Sequence, residues 1–168
     1  MTTTTPKGEA VSDSPRVAII YGSISDQDVM GPAGALLESF GIPYDECSIS
    51  AHRAPRALAD WMAELEPRGI EVVITGAGMS AALPGVVAAH TTLPVIGVPI
   101  KGGALDGLDA LLAITQMPPG VPVASVGLNA ARNAGVLAVQ ILATADPSLR
   151  AKLWEFKDTF EKAAQAGS

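Results

Sequence analysis

The sequence predicts an α/β domain: an open, parallel, five-stranded sheet with helices on both faces, three αβα layers in all, and a C-terminal helix. Three observations predict it. Five short apolar runs alternate with helical patterns, as repeated βα units do. The runs are continuously apolar rather than alternating, as strands covered on both faces are. The length of 168 residues suits one domain with one ordinary core.

The elements follow in chain order. "RVAIIY" (16–21) is the first strand, and "DQDVMGPAGALLESFG" (26–41) is a helix with Pro32 early in it and Gly41 at its end. "YDECSIS" (44–50) is the second strand. "PRALADWMAELEPRG" (55–69) is a helix with Pro55 in its first turn, where the missing N–H costs nothing. "EVVITG" (71–76) is the third strand. "SAALPGVVAAHT" (80–91) reads as a helix that Pro84 and Gly85 must bend or delay. "PVIGVPI" (94–100) is the fourth strand, "LDGLDALLAIT" (105–115) a helix and "VPVASVG" (121–127) the fifth strand. "NAARNAGVLAVQILAT" (129–144) is a helix whose small residues permit close packing. "DPSLRAKLWEFKDTFEKAAQ" (146–165) is an amphipathic helix with Asp146 as N-cap and Pro147 at its first position. Residues 1–15 read as a disordered leader, 16–145 as the α/β domain, and 146–168 as a helix packing on the domain or on a neighbouring copy.

Composition excludes several classes. Charged residues make up only 17% of the chain, too few to cover a small domain, so part of the surface is expected to be buried against copies of itself. No apolar run reaches the roughly 18 residues of a membrane span. A net charge of −6 and the lack of a basic run argue against nucleic acid. The N-terminus has no apolar signal core, the single Cys47 excludes an internal disulfide, and no metal-ligand spacing is present. A cytoplasmic homo-oligomer without membrane or nucleic-acid partners is expected.

Ligands of open parallel sheets bind beyond the carboxyl ends of the strands, where strand order reverses. That directs attention to the loops after strands one, two and three. In "GSISDQD", Ser25 is placed to cap the next helix, Ser23 and Ser25 offer hydroxyls beside free N–H groups, and Asp26 suits a ribose hydroxyl. Capping alone is the plain alternative there. In "SAHRAP", His52 is a proton-transfer group near neutral pH and Arg53 a phosphate ligand, against the alternative of a surface arginine and a backbone-bonded histidine. In "GAGMSAALPG", Gly76 and Gly78 allow close backbone approach and the small side chains suit a flat ring, though ordinary turn chemistry also uses glycine. His90 reads as a capping or packing residue, and Cys47 as inert core. Lys101, Gly102 and Gly103 are expected to border the site, and "QMPPG" (116–120) to form a lid or subunit contact.

Taken together, "GSISD", "SAHRAP", "GAG…LPG", "PVIGVP", "GLDALLAITQMPPGVPVA" and "NAGVLAVQILA" resemble the aminoimidazole ribonucleotide carboxylase family over roughly residues 16–150. "SAHR" and "LPG" are similar to its bacterial mutase class, whereas the animal-type carboxylases carry lysine after the histidine. The resemblance implies a flavodoxin-like fold, an octamer with neighbours closing each site, and no cofactor. It implies conversion of 5-(carboxyamino)imidazole ribonucleotide to 4-carboxy-5-aminoimidazole ribonucleotide in purine synthesis. His52 would be catalytic. Ser23, Ser25, Asp26, Ser50 and Arg53 would hold phosphate and ribose, and Ala77 and Gly78 would line the imidazole and carboxylate pocket. One departure stands out. The common pattern is "GAGGAAHLPG"; here Ala82 occupies the histidine's place, and Met79 and Ser80 replace smaller residues. Direct carboxylation by carbon dioxide, or ribonucleotide binding without turnover, are the competing expectations. A flavin-binding protein is disfavoured by the scarcity of aromatic residues.

Overall fold

The computed structural model describes residues 14–166, so most of the expected leader lies outside the described residues. Five strands form one parallel sheet: β1 (Val17–Tyr21), β2 (Tyr44–Ser48), β3 (Val72–Gly78), β4 (Val95–Ile100) and β5 (Ala124–Ser125), in the order β2-β1-β3-β4-β5. The helices are α1 (Gln27–Ser39), α2 (Pro55–Ala63), α3 (Ala82–His90), α4 (Leu108–Thr115), α5 (Ala131–Leu142) and α6 (Pro147–Ala166).

Strand periodicity explains why both faces of the central strands are apolar; β2 departs from the expectation, since it carries Asp45, Glu46 and Ser48 at the sheet edge and is only partly covered. Along β1, Val17, Ile19 and Tyr21 enter one core while Ala18 and Ile20 enter the other. The first core lies under α1 and α5, joined at its edge by Leu149 and Leu153 of α6. The second lies under α2, α3 and α4. Gly135 lets α5 approach α1 closely: a Cβ there would lie 2.9 Å from Leu36 Cδ2 and 3.1 Å from the Ala33 carbonyl oxygen. The small-residue reading of this helix therefore holds.

Element ends differ from the sequence reading for local reasons. At the end of α1, Ile42 N–H donates to Leu37 O and Gly41 N–H to Glu38 O, with Gly41 at φ 71, a glycine-closed C-terminus as expected. α2 stops at Ala63, short of residue 69, because Pro67 disfavours helix in the residue before it and the chain turns through Gly69 at φ 84. α3 begins at Ala82 rather than 80, after a left-handed Ala81, and α4 begins at Leu108 rather than 105, after left-handed Asp106 and Gly107. The fifth strand spans two residues instead of seven. Pro122 has no N–H to give, and the Val121 N–H is already used in a turn to Pro118 O. α6 is opened by Asp146 as expected, its carboxylate accepting from the N–H groups of Ser148 at 3.0 Å and Leu149 at 3.3 Å.

No helix among the described residues is long and apolar enough to cross a membrane.

Candidate active site

β1 pairs with β2 on one side and β3 on the other, so the strand order reverses at β1. The loops that leave β1, β2 and β3 meet there, beyond the carboxyl ends of the strands. They enclose a cleft of about 420 Å³. Its lining brings together Gly22, Ser23, Ser25 and Asp26, then Ser50, Ala51, His52 and Arg53, then Ala77 through Leu83. Ser23, Ser25, Asp26, Ser50, His52, Arg53, Ala77 and Gly78 thus line one cleft, while Gly76 stands just below it, outside the lining.

The first loop is a turn of 3-10 helix at 24–26. Ser23, not Ser25, caps it: Ser23 Oγ accepts from the Ser25 N–H at 3.4 Å and from the Ser25 hydroxyl at 2.8 Å. The extended backbone of Ser23 puts its side chain over the turn, whereas Ser25 is already inside it. Asp26 starts α1 without a capping bond, which leaves its carboxylate for the cleft. Burial pushes that carboxyl above its ordinary value, and bonds from the Ser23 backbone and the Ser25 hydroxyl oppose the rise.

The second loop is a turn over 51–53 that leads into Pro55. Ser50 organises it. Its hydroxyl oxygen accepts from the Arg53 N–H at 3.2 Å, and its carbonyl accepts from the Ala54 N–H at 2.9 Å. His52 and Arg53 are both exposed in the single chain.

The third loop is the tightest. β3 runs two residues further than its apolar pattern, through Ala77 and Gly78. A Cβ on Gly78 would lie 3.2 Å from the Ile100 carbonyl oxygen, so a larger residue would crowd the contact with β4 by a few tenths of an ångström. Met79 (φ 51) and Ala81 (φ 38) both take left-handed backbone, and Ala81 N–H closes the turn on Gly78 O at 3.0 Å. Ala82 and Leu83, at the start of α3, complete the wall.

Sequence reasoning passed over Ala51 and Leu83 as lining residues, since neither carries chemistry. Lys101, Gly102 and Gly103, expected to border the site, are not in the lining itself, but Gly103 lies against Met79 of the wall; Lys101 Nζ pairs with Asp106 at 2.9 Å. The 116–120 segment is not in the cleft, and Met117 packs over Gly85 of α3. His90 is exposed at the end of α3 and its Nδ1 lies 2.8 Å from Val86 O, which fits the capping expectation and not the packing one. Cys47 is half-buried in β2, and burial pushes its thiol up to about 11, which keeps it unreactive.

Comparison with known proteins agrees with this architecture. The AIR carboxylase family model matches residues 16–163. A curated protein of Mycobacterium tuberculosis (strain ATCC 25618 / H37Rv) named N5-carboxyaminoimidazole ribonucleotide mutase is 53% identical over 154 residues, 92% of this chain and 86% of that one. A Schizosaccharomyces pombe protein named phosphoribosylaminoimidazole carboxylase is 50% identical over 150 residues, 89% of this chain but 27% of that longer one. The crystal structure of Treponema denticola PurE superposes with a TM-score of 0.83 at 27% identity, over 90% of this chain and 95% of that one. The chain belongs to the AIR carboxylase family.

Proposed function

We propose that this protein moves a carboxylate within one ribonucleotide, converting 5-(carboxyamino)imidazole ribonucleotide to 4-carboxy-5-aminoimidazole ribonucleotide in purine synthesis. One observation carries the reading: a single cleft at the strand-order reversal holds an imidazole, a guanidinium, four hydroxyls and a carboxylate beside a wall of backbone and mostly small side chains. The mutase relative at 53% identity supports the same reaction.

Arg53 and the first-loop hydroxyls of Ser23 and Ser25 take the phosphate, as a planar cation and hydroxyl donors suit. Asp26 takes a ribose hydroxyl. Ser50 fixes the turn that carries His52. Ala77 and Gly78 present main chain to the flat imidazole. His52 first gives a proton to the exocyclic nitrogen as the N–C bond of the carbamate breaks. Carbon dioxide and the aminoimidazole are then both held in the cleft. The ring is an enamine, so its C4 attacks carbon dioxide and forms the C–C bond. C4 now bears both hydrogen and carboxylate. His52 removes that proton, the ring regains aromaticity, and the imidazole returns to its starting charge. One residue acting first as acid and then as base returns to its starting state at the end of each cycle. Holding carbon dioxide beside C4 supplies the entropic part of the rate. No cofactor enters this scheme.

The assembly is a cytoplasmic homo-oligomer, an octamer by family resemblance, with neighbouring copies helping to close each cleft. The exposed Leu105, Leu108 and Leu112 of the α4 region and Trp154 and Phe160 of α6 are the surfaces such copies would bury.

The test is a direct comparison of substrates at low bicarbonate. The purified protein should form the C-carboxylated product from the carbamate far faster than from aminoimidazole ribonucleotide plus bicarbonate. The reverse preference would make it a direct carboxylase. No product above the enzyme-free rate from either substrate, with ribonucleotide binding intact, would make it a binding module.

A further inference from the structure

Met79 combines three costs that none of its neighbours combines. Its backbone is left-handed at φ 51, a region that methionine enters only at a steric penalty. Its apolar side chain is 60% exposed. It lies on the cleft lining, among small residues and polar groups. Strain held at a ligand-lined loop points to a role for the residue that bears it.

The side chain crosses from the loop after β3 to the loop after β4. A Cβ built on Gly103 would lie 3.3 Å from Met79 Cγ and 3.7 Å from its Sδ, so the thioether rests where any larger residue would crowd it. Gly103 is itself left-handed at φ 66, which turns its backbone clear. Met79 therefore has one end fixed on the cleft wall and an unbranched arm parked on the far rim. Methionine has three rotatable bonds and little shape of its own, which suits an arm that must swing and still fill space.

The geometry points to Met79 as an apolar gate that swings from Gly103 over the bound imidazole and retains the released carbon dioxide. This inference rests on the carboxylate-transfer reading and specifies how that site keeps its intermediate. Carbon dioxide carries no charge that the polar side of the cleft could grip. Its retention depends on covering the exit with an apolar group.

The experiment measures partitioning. Each carbamate consumed ends either as C-carboxylated product or as free aminoimidazole ribonucleotide that has lost its carbon dioxide, and spontaneous decay is subtracted with an enzyme-free control. Met79→Gly removes the arm and relieves the backbone, so the variant is expected to fold with an unchanged melting temperature within a few degrees. Its ratio of leaked to carboxylated product should rise roughly threefold or more as effective concentration falls. Met79→Leu keeps an apolar arm on the same backbone and should partition like the parent. Two results overturn the gate: Met79→Gly partitioning like the parent, or both variants leaking alike. A parent that itself forms no carboxylated product overturns the carboxylate-transfer reading, and the gate with it.

Discussion

Gly76→Ala is the substitution whose effect follows most directly from the structure. Gly76 lies in β3 opposite Tyr21 of β1, directly beneath the first loop, and its carbonyl accepts the Gly22 N–H at 3.3 Å. A Cβ there would lie 2.9 Å from Met30 Cγ and 3.0 Å from Met30 Cε, and nearer still to Sδ. Ordinary carbon contact distance is about 3.5–4.0 Å, so the Met30 side chain must retreat by up to about an ångström. Met30 is fully buried in the core under α1 and α5, so its side chain must repack among its neighbours and cannot turn out to solvent. Overpacking of this kind costs about 1–3 kcal/mol. For a domain of this length each kcal/mol lowers Tm by roughly 2–4 °C. Urea unfolding should show the loss as a lower midpoint at unchanged slope. The alanine also presses on the helix whose start carries Asp26, so KM should rise as stability falls. Met30→Ala removes the obstacle, and the double variant should be less destabilised than the two single losses summed. An unchanged midpoint for Gly76→Ala, or strict additivity in the double variant, would refute the packing argument.

Four further outcomes are expected. His52→Asn should lower turnover by about 10²–10⁴-fold, the usual worth of a general acid–base, while calorimetry still detects ribonucleotide binding. Arg53→Ala should act mainly on KM, losing about 1.5–3 kcal/mol of charged hydrogen bonding to phosphate with kcat little changed. Asp26→Asn should raise Tm at pH 7 and weaken ribose binding. Burial raises this carboxyl's pKa in the fold, so its ionised form is penalised above that value, and the stability gained by asparagine should vanish as pH falls below the unfolded value of about 3.9. Asp146→Ala should cost about 1 kcal/mol as a lost N-cap. The Ser148 hydroxyl, first among its partners, lowers the pKa of this carboxyl, so its contribution is whole above about pH 4 and fades as pH falls through the folded value.

Much of the fold is legible in the sequence because parallel strands buried on both faces must be apolar at every position. Val17 through Tyr21 and Val95 through Ile100 are such runs, and each is fully covered. The fifth strand is legible but its length is not, because "VPVASVG" has an edge position and a proline that forfeits its donor. The late starts of α3 and α4 escape a sequence reading for a different reason. Left-handed backbone is signalled by glycine or asparagine, and at Ala81 and Asp106 the surrounding structure imposes it on other residues. The cleft itself is legible through topology: once βα alternation fixes a parallel sheet, "GSISD", "SAHR" and "GAGMSAA" must converge. The exchange of capping roles between Ser23 and Ser25 is not, since it turns on one extended residue before a turn of 3-10 helix. Nor is the bearing of Met79 on Gly103, a contact between loops 24 positions apart that no local pattern encodes.

The central claim is that the carboxylate never leaves the cleft. It is tested by giving the protein carboxylate-labelled 5-(carboxyamino)imidazole ribonucleotide in excess unlabelled bicarbonate and following the label. The account predicts that the C-carboxylated product keeps the label. Product formed only with the protein present, but with the label diluted into the bicarbonate pool, would contradict it.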